Sequence, residues 1–115
     1  MNTFYSLKKN SHFSSVYHEH CSKANKLLVM YVKTGENPAI NRVGISVSKK
    51  VGNSVVRHRV KRVIREIVRT DGAMFDTGSD IVIIARVEAK NASYHELEKA
   101  VINLFERHGK LRSTT

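Results

Sequence analysis

The chain has 115 residues, 41% of them hydrophobic and 26% charged, a composition that suits one folded domain with its own core and excludes a disordered polymer. Twenty Lys and Arg stand against ten Asp and Glu, giving a formal charge of +10 and a pI near 10.1, the balance expected of a protein with a polyanionic partner. No run of eighteen apolar residues occurs, the start MNTFYSLKKNSHF lacks an apolar leader segment, and the single cysteine, Cys21, has no internal partner. These features exclude a transmembrane helix and an internal disulfide and predict a cytoplasmic protein with no membrane association.

The ends, MNTFYSLKKN and GKLRSTT, read as loose tails on a single domain spanning residues 1–115. From Ser11 to about His20, Phe13, Val16 and Tyr17 fall at i, i+3 and i+4, which predicts a short helix with one apolar face. NKLLVMYVKTG is a β-rich run, ENPAIN carries the only proline, Pro38, and NRVGISVSKK alternates Val43, Ile45 and Val47 with Arg42, Gly44, Ser46 and Ser48. The two runs are expected to pair as an antiparallel hairpin. Asn53 is a suitable N-cap for a helix reaching about Arg69, where Thr70, Asp71 and Gly72 stop it. SDIVIIARV, Ser79 to Val87, is nearly continuous in apolar residues, as buried strands are. Ser93 and Glu96 make a capping-box pattern ahead of Leu97, Val101, Leu104 and Phe105 on one helical face, with Gly109 beyond the end. The order α-β-β-α-β-α predicts an α+β sandwich, a small sheet with helices packed on it.

The helix after Asn53 carries the charge. At 100° per residue, Val56, Val60, Val63, Ile64 and Ile67 gather on a core-facing side, while Arg57, His58, Lys61, Arg62, Arg65 and Arg69 cover most of the other and Arg59 lies near the flank beside Glu66. Like charges at i, i+4, such as Arg57, Lys61 and Arg65, repel by a few tenths of a kcal/mol each, a cost that bound anions offset. Lys49 and Lys50 precede the helix start at Gly52 and Asn53, where free N–H groups and the macrodipole favour a phosphate.

SKKVGNSVVRHRVKRVIRE resembles the signature of the bacterial ribonuclease P protein subunit family, with LKKNSHFSSVY, RVGISVSKK, DIVIIAR and the final helix extending the likeness over nearly the whole chain. One departure is His58, which stands where the family pattern has Asn between two arginines. Imidazole lacks the paired donor and acceptor of an amide, though it can still donate to a phosphate oxygen. The resemblance implies a ribosomal protein-like fold with a mixed central sheet and a left-handed β-α-β crossover, against the general right-handed preference. It also implies a ribonucleoprotein that removes the 5′ leader of precursor tRNA, with one protein per catalytic RNA and the Mg²⁺ ions held mainly by that RNA. Lys49, Lys50, Asn53, Arg57, His58, Arg59, Lys61, Arg62 and Arg65 are then expected to bind the RNA subunit.

Phe13 and Tyr17 share a face with Val16, and the spacing alone suits core packing. The resemblance instead implies that these aromatic residues line a cleft for the single-stranded leader, where a ring supports a base without reading it. Tyr31 and Lys33, two apart on a strand, project to one side and are expected beside that cleft. His12, His18, His20 and Cys21 lie close in sequence but are too crowded for a zinc site, and no metal site is expected. The ten carboxylates are scattered and no nucleophile triad or phosphate-binding loop occurs, so no catalytic residue is expected in this chain. The alternatives are a ribosomal or RNA-chaperone protein using the same basic helix without cleavage, and a DNA-binding module, for which the helix offers few residues that read base edges.

Overall fold

The structure, a computed structural model, describes residues 4–112. Eight elements follow in chain order: β1 (Phe4–Ser6), α1 (Asn10–His18), β2 (Ser22–Ala24), β3 (Leu28–Thr34), β4 (Asn41–Ser46), α2 (Ser54–Thr70), β5 (Ser79–Ala85) and α3 (Tyr94–Arg107), with 3-10 turns at Gly72–Met74 and Val87–Asn91. The strands form one mixed sheet in the order β1-β4-β5-β3-β2. Strand β5 is the centre, antiparallel to β3 from Leu28↔Ala85 to Thr34↔Ser79 and parallel to β4 from Arg42↔Asp80 to Ser46↔Ile84. The expected β3–β4 hairpin therefore does not form, because β5 lies between its two strands. The reason is in the side chains: β5 is buried at every position but Ile84, and such a strand at an edge would leave a row of backbone groups unpaired in an apolar setting.

The segment between β3 and β4 bridges the start of β5. Gly35 N–H donates to Gly78 O and Gly78 N–H to Ile40 O, both at 2.8 Å, and Thr77 Oγ1 donates to Pro38 O at 2.7 Å. Gly78 has φ +97°, a conformation that carries little penalty only for glycine. Beside it, the buried Asn41 side chain donates to Asp76 O and accepts from Ser79 N–H, each at 2.9 Å.

Two strands lie outside the expected set. Residues 4–6 form β1 rather than a tail, pairing parallel with β4. Phe4 anchors it, edge-on to Phe75 at 6.2 Å and over Gly72, where a Cβ would come within 2.6 Å of its ring. β2 pairs antiparallel with β3. Each has three residues, too few to show a period of two. The other presumed tail is also tied down: Asp76 N–H donates to Lys110 O and Arg112 N–H to Met74 O, both at 2.7 Å. Residues 1–3 and 113–115, the remainder of those presumed tails, lie outside the described residues.

Helices α2 and α3 cover one face of the sheet. Val60, Ile64 and Ile67 meet Leu97, Val101 and Leu104 above Ile81 and Ile83 in one continuous core, and Phe75 stacks on Phe105 with centroids 3.8 Å apart. The helix starts follow the sequence signals. Asn53 Oδ1 accepts from Val56 N–H at 3.0 Å; Ser93 Oγ accepts from Glu96 N–H and Glu96 Oε1 from Ser93 N–H, at 3.1 and 2.9 Å. Because β4 and β5 are parallel, α2 is the helix of a strand-helix-strand crossover.

At the α2 C-terminus, Asp71 Oδ2 is sealed from solvent with no donor to accept from, and the Glu98 carboxyl of α3 acts on the Asp71 carboxyl. Burial first, and Glu98 second, push the Asp71 carboxyl up to about 6. A raised folded-state pKa means that the folded protein holds the proton more tightly than the unfolded chain. The resulting stabilisation is complete below the ordinary carboxyl pKa and is lost as pH rises through about 6. Asp71→Asn should flatten the dependence of melting temperature on pH between about 4 and 7, a change on the order of 1 kcal/mol after solvent screening.

Candidate RNA interface

The other face of the sheet is only partly covered. Helix α1 crosses it with Val16 at the centre of a small cluster that includes Leu7 and Val82, and Phe13, Tyr17, Tyr31 and Ile84 pack around this cluster half-buried. The Phe13 ring lies directly on Gly44 of β4: a Cβ built there would stand 2.4 Å from the Phe13 Cζ. A glycine inside an alternating strand marks a place where another group approaches the backbone, and that signal was present in RVGISVSKK. The Tyr17 and Tyr31 rings meet edge to face at 4.9 Å. Burial first, and Tyr31 second, raise the Tyr17 hydroxyl pKa.

A cleft of about 500 Å³ runs beside these rings, walled by Phe13, Ser14 and Tyr17 of α1, Ser46 and Val47 at the end of β4, and Lys61 of α2. Phe13 and Tyr17 are thus both supports of the small core, as their spacing suits, and walls of an open groove, as the resemblance implies. Tyr31 stands behind Tyr17. Lys33 is on the same sheet face, but its Nζ donates to Ser15 Oγ. Ser15 lies about 160° around α1 from Tyr17, so Lys33 is held across the helix from the cleft rather than in it.

Helix α2 presents its basic side chains in three directions. Lys61 and Arg65 project toward α1 and the sheet, with Arg57 half-buried above them, its Nε closed off from solvent without an acceptor. His58 and Arg62 are exposed on the outer face beside Val55, itself 75% exposed. Arg59 is partly committed, its NH2 donating to Lys90 O at 2.7 Å. Arg69 is neutralised by Glu66 at 2.5 Å, so the unmatched stripe ends at Arg65. Lys49 and Lys50 are exposed in the turn closed by Val51 N–H to Ser48 O at 3.1 Å. Asn53 uses its oxygen for the cap, which leaves the amide nitrogen as its outward donor.

The crowded His and Cys residues have separate surroundings, except that the His18 and His20 rings stand edge to face at 6.5 Å. His12 Nδ1 sits 3.4 Å from the Arg42 guanidinium, and Cys21 Sγ lies 4.0 Å from His108 Nδ1, whose Nε2 donates to Met30 O at 3.0 Å. Arg42 holds Asp80 through two bonds of 2.8 and 2.6 Å.

The half-covered sheet face, the ring-lined groove and the one-sided basic helix beside it belong to a chain with clear relatives among known proteins. The family model described as Ribonuclease P matches residues 1–109. The chain belongs to the ribonuclease P protein family. The ribonuclease P protein component of Lachnoclostridium phytofermentans is 52% identical over 103 residues, covering 90% of this chain and 88% of that protein. That of Bacillus cereus is 42% identical over 106 residues, covering 92% of each. The Staphylococcus aureus RNase P protein structure superposes with TM-score 0.81 at 34% identity over 94% of this chain and 98% of that one. The Thermotoga maritima RNase P protein does so with TM-score 0.81 at 26% identity over 89% and 96%. The membership makes this chain a ribonuclease P subunit, partnered with the ribonuclease P RNA in tRNA processing. The comparisons give no support to a ribosomal or chaperone role.

The seat of Phe13 is testable in the free protein. Gly44→Ala should destabilise the fold by about 1–3 kcal/mol in urea unfolding, the usual cost of overpacking. Phe13→Leu in that background should recover most of the loss, since the ring atoms Cζ, Cε1 and Cε2 are what the new methyl meets.

Proposed function

We propose that the groove beside α1 holds the single-stranded 5′ leader of precursor tRNA, while the exposed side chains of α2 and of the preceding turn neutralise phosphates of the catalytic RNA. The observation that carries this reading is the meeting of two surfaces at Lys61, which belongs to the basic helix and also walls the groove with Phe13 and Tyr17. A strand lying in the groove is thereby placed next to an RNA bound along α2. The protein contributes orientation and charge neutralisation, stacking leader bases on its rings at about 1–3 kcal/mol each and reducing phosphate repulsion between the two RNAs. His58, exposed on the outer face, substitutes an imidazole donor for the family's amide.

Cleavage itself is assigned to the RNA. Carboxylates of this chain that lie near basic groups are already engaged: Glu66 by Arg69 and Thr70, Asp80 by Arg42. They do not form a Mg²⁺ site, and the ions that activate water for phosphodiester hydrolysis belong with the RNA subunit. One protein per RNA, acting in the cytoplasm on precursor tRNA, completes the proposal.

Reconstitution tests it. Added to ribonuclease P RNA at low Mg²⁺, the protein should restore cleavage of precursor tRNA that the RNA alone performs poorly. In that holoenzyme Tyr17→Ala should weaken binding of leader-bearing precursor by about 1–3 kcal/mol and leave mature tRNA unaffected; equal losses for both would remove the leader from the groove. Arg62→Ala should lower the slope of log affinity for the RNA subunit against log salt by about one unit, and an unchanged slope would deny it a phosphate contact.

A further inference from the structure

The groove does not stop at Phe13. On the far side of the ring a second hollow, of about 470 Å³, opens between the end of β1, the middle of β4 and α2. Phe13, Ile45 and Lys61 belong to both hollows, so the ring seated on Gly44 is the partition between them. The second hollow has apolar residues in its lining, Phe4, Leu7, Val43, Ile45 and Val68, with Lys8, Lys61, Arg65 and the Glu66-paired Arg69 around it. No acidic side chain lines it.

We infer that this second hollow is a nucleotide site for the same single-stranded leader, with the Phe13 ring inserted between two bases, one in each hollow. The inference rests on the leader reading above. Its chemistry follows from the lining. A partly apolar lining edged by cations suits a flat base joined to a phosphate, whereas a free phosphate ion would leave the apolar part unused. The volume falls within the range of small-ligand pockets, large enough for one base and far too narrow for a duplex, which single-strand binding proteins likewise exclude by pairing a cationic track with aromatic walls. Lys61, shared by both hollows, is placed to meet the phosphate that links the two nucleotides. Continuity through a shared wall ties the occupant to the leader; on this inference Lys61 and Arg65 serve the leader, and the RNA subunit meets α2 on its outer face at His58 and Arg62.

The test fills the hollow from the edge strand. Ser6 lines it, is exposed and lies on β1, so Ser6→Phe occupies the space without touching Phe13 or Tyr17 positions, and Ser6→Ala is the neutral control. In the reconstituted holoenzyme, Ser6→Phe should lower affinity for precursor with a long leader by about fivefold or more, with Ser6→Ala within about twofold of the parent. Precursor with a one-nucleotide leader, too short to occupy both hollows, and mature tRNA should bind all variants alike. Abasic substitution along the leader should show one position whose loss matters in the parent but not in Ser6→Phe, different from the position silenced by Tyr17→Ala. Should Ser6→Phe fail to fold by thermal melting, Lys8→Glu, a charge reversal at an exposed rim position, carries the same comparison. A folded variant with unchanged long-leader affinity, or with equal losses for mature tRNA, overturns the second site. If Tyr17→Ala shows leader dependence in the same assay, only the second hollow falls; if it does not, the leader reading falls with it.

Discussion

Strand β5 is hydrogen-bonded along both edges and buried on both faces, and the positions of all the other elements follow from that enclosure. A strand of this kind needs a neighbour on each side and a layer above and below. β3 and β4 supply the neighbours, α2 and α3 one layer, and α1 the other. The segment after β3 must then pass over the start of β5 to reach β4, which explains why Gly78, Pro38 and Asn41 form so tight a set of bonds there.

The two layers are unequal, and the inequality makes the interface. Two helices of seventeen and fourteen residues seal one face, whereas a single helix of nine residues lies across the other. A short helix cannot cover a sheet, so it leaves grooves along its flanks. Because α2 is amphipathic, its core side is consumed by the sealed face and its charged side reaches around the sheet edge to border the open one. Apolar burial thus positions the cations, and no acidic partner is needed to hold them there. The exceptions are instructive: Arg42 and Arg69 are held by Asp80 and Glu66, and neither belongs to the stripe from Arg57 to Arg65.

Much of this was legible in the residues. Helix α2 could be read to within a residue from its cap and its period, and α3 from its capping box, because such signals act over three or four positions. Strand existence was equally visible where the apolar run was long. Pairing was not, since the alternation in β4 says which face is buried but nothing about which strand lies beside it; only the two-sided apolarity of β5 pointed to the central place. β1 and β2 are too short for a pattern, and among the residues that hold Phe4 in the core are Gly72 and Phe75, far along the chain. Tyr17 and Phe13 could be assigned to one helix face by spacing, yet spacing does not distinguish a buried ring from one at the rim of a groove. Lys33 shared a face with Tyr31 as its position required, and was separated from the cleft by a helix whose path no local rule describes.

The central place of β5 also governs the order in which the chain can assemble. During synthesis β3 and β4 emerge long before residues 79–85, and each waits with an open edge for a strand that lies on the far side of α2. Pairings that span so many residues must close long loops before they are rewarded, which slows folding relative to a meander of adjacent strands. Until β5 arrives, two incomplete edges and the apolar side of α2 are exposed together, a state in which partly made chains associate. Net charge far from zero opposes such association, and with a formal charge of +10 this chain carries that opposition in the same helix that borders the finished groove.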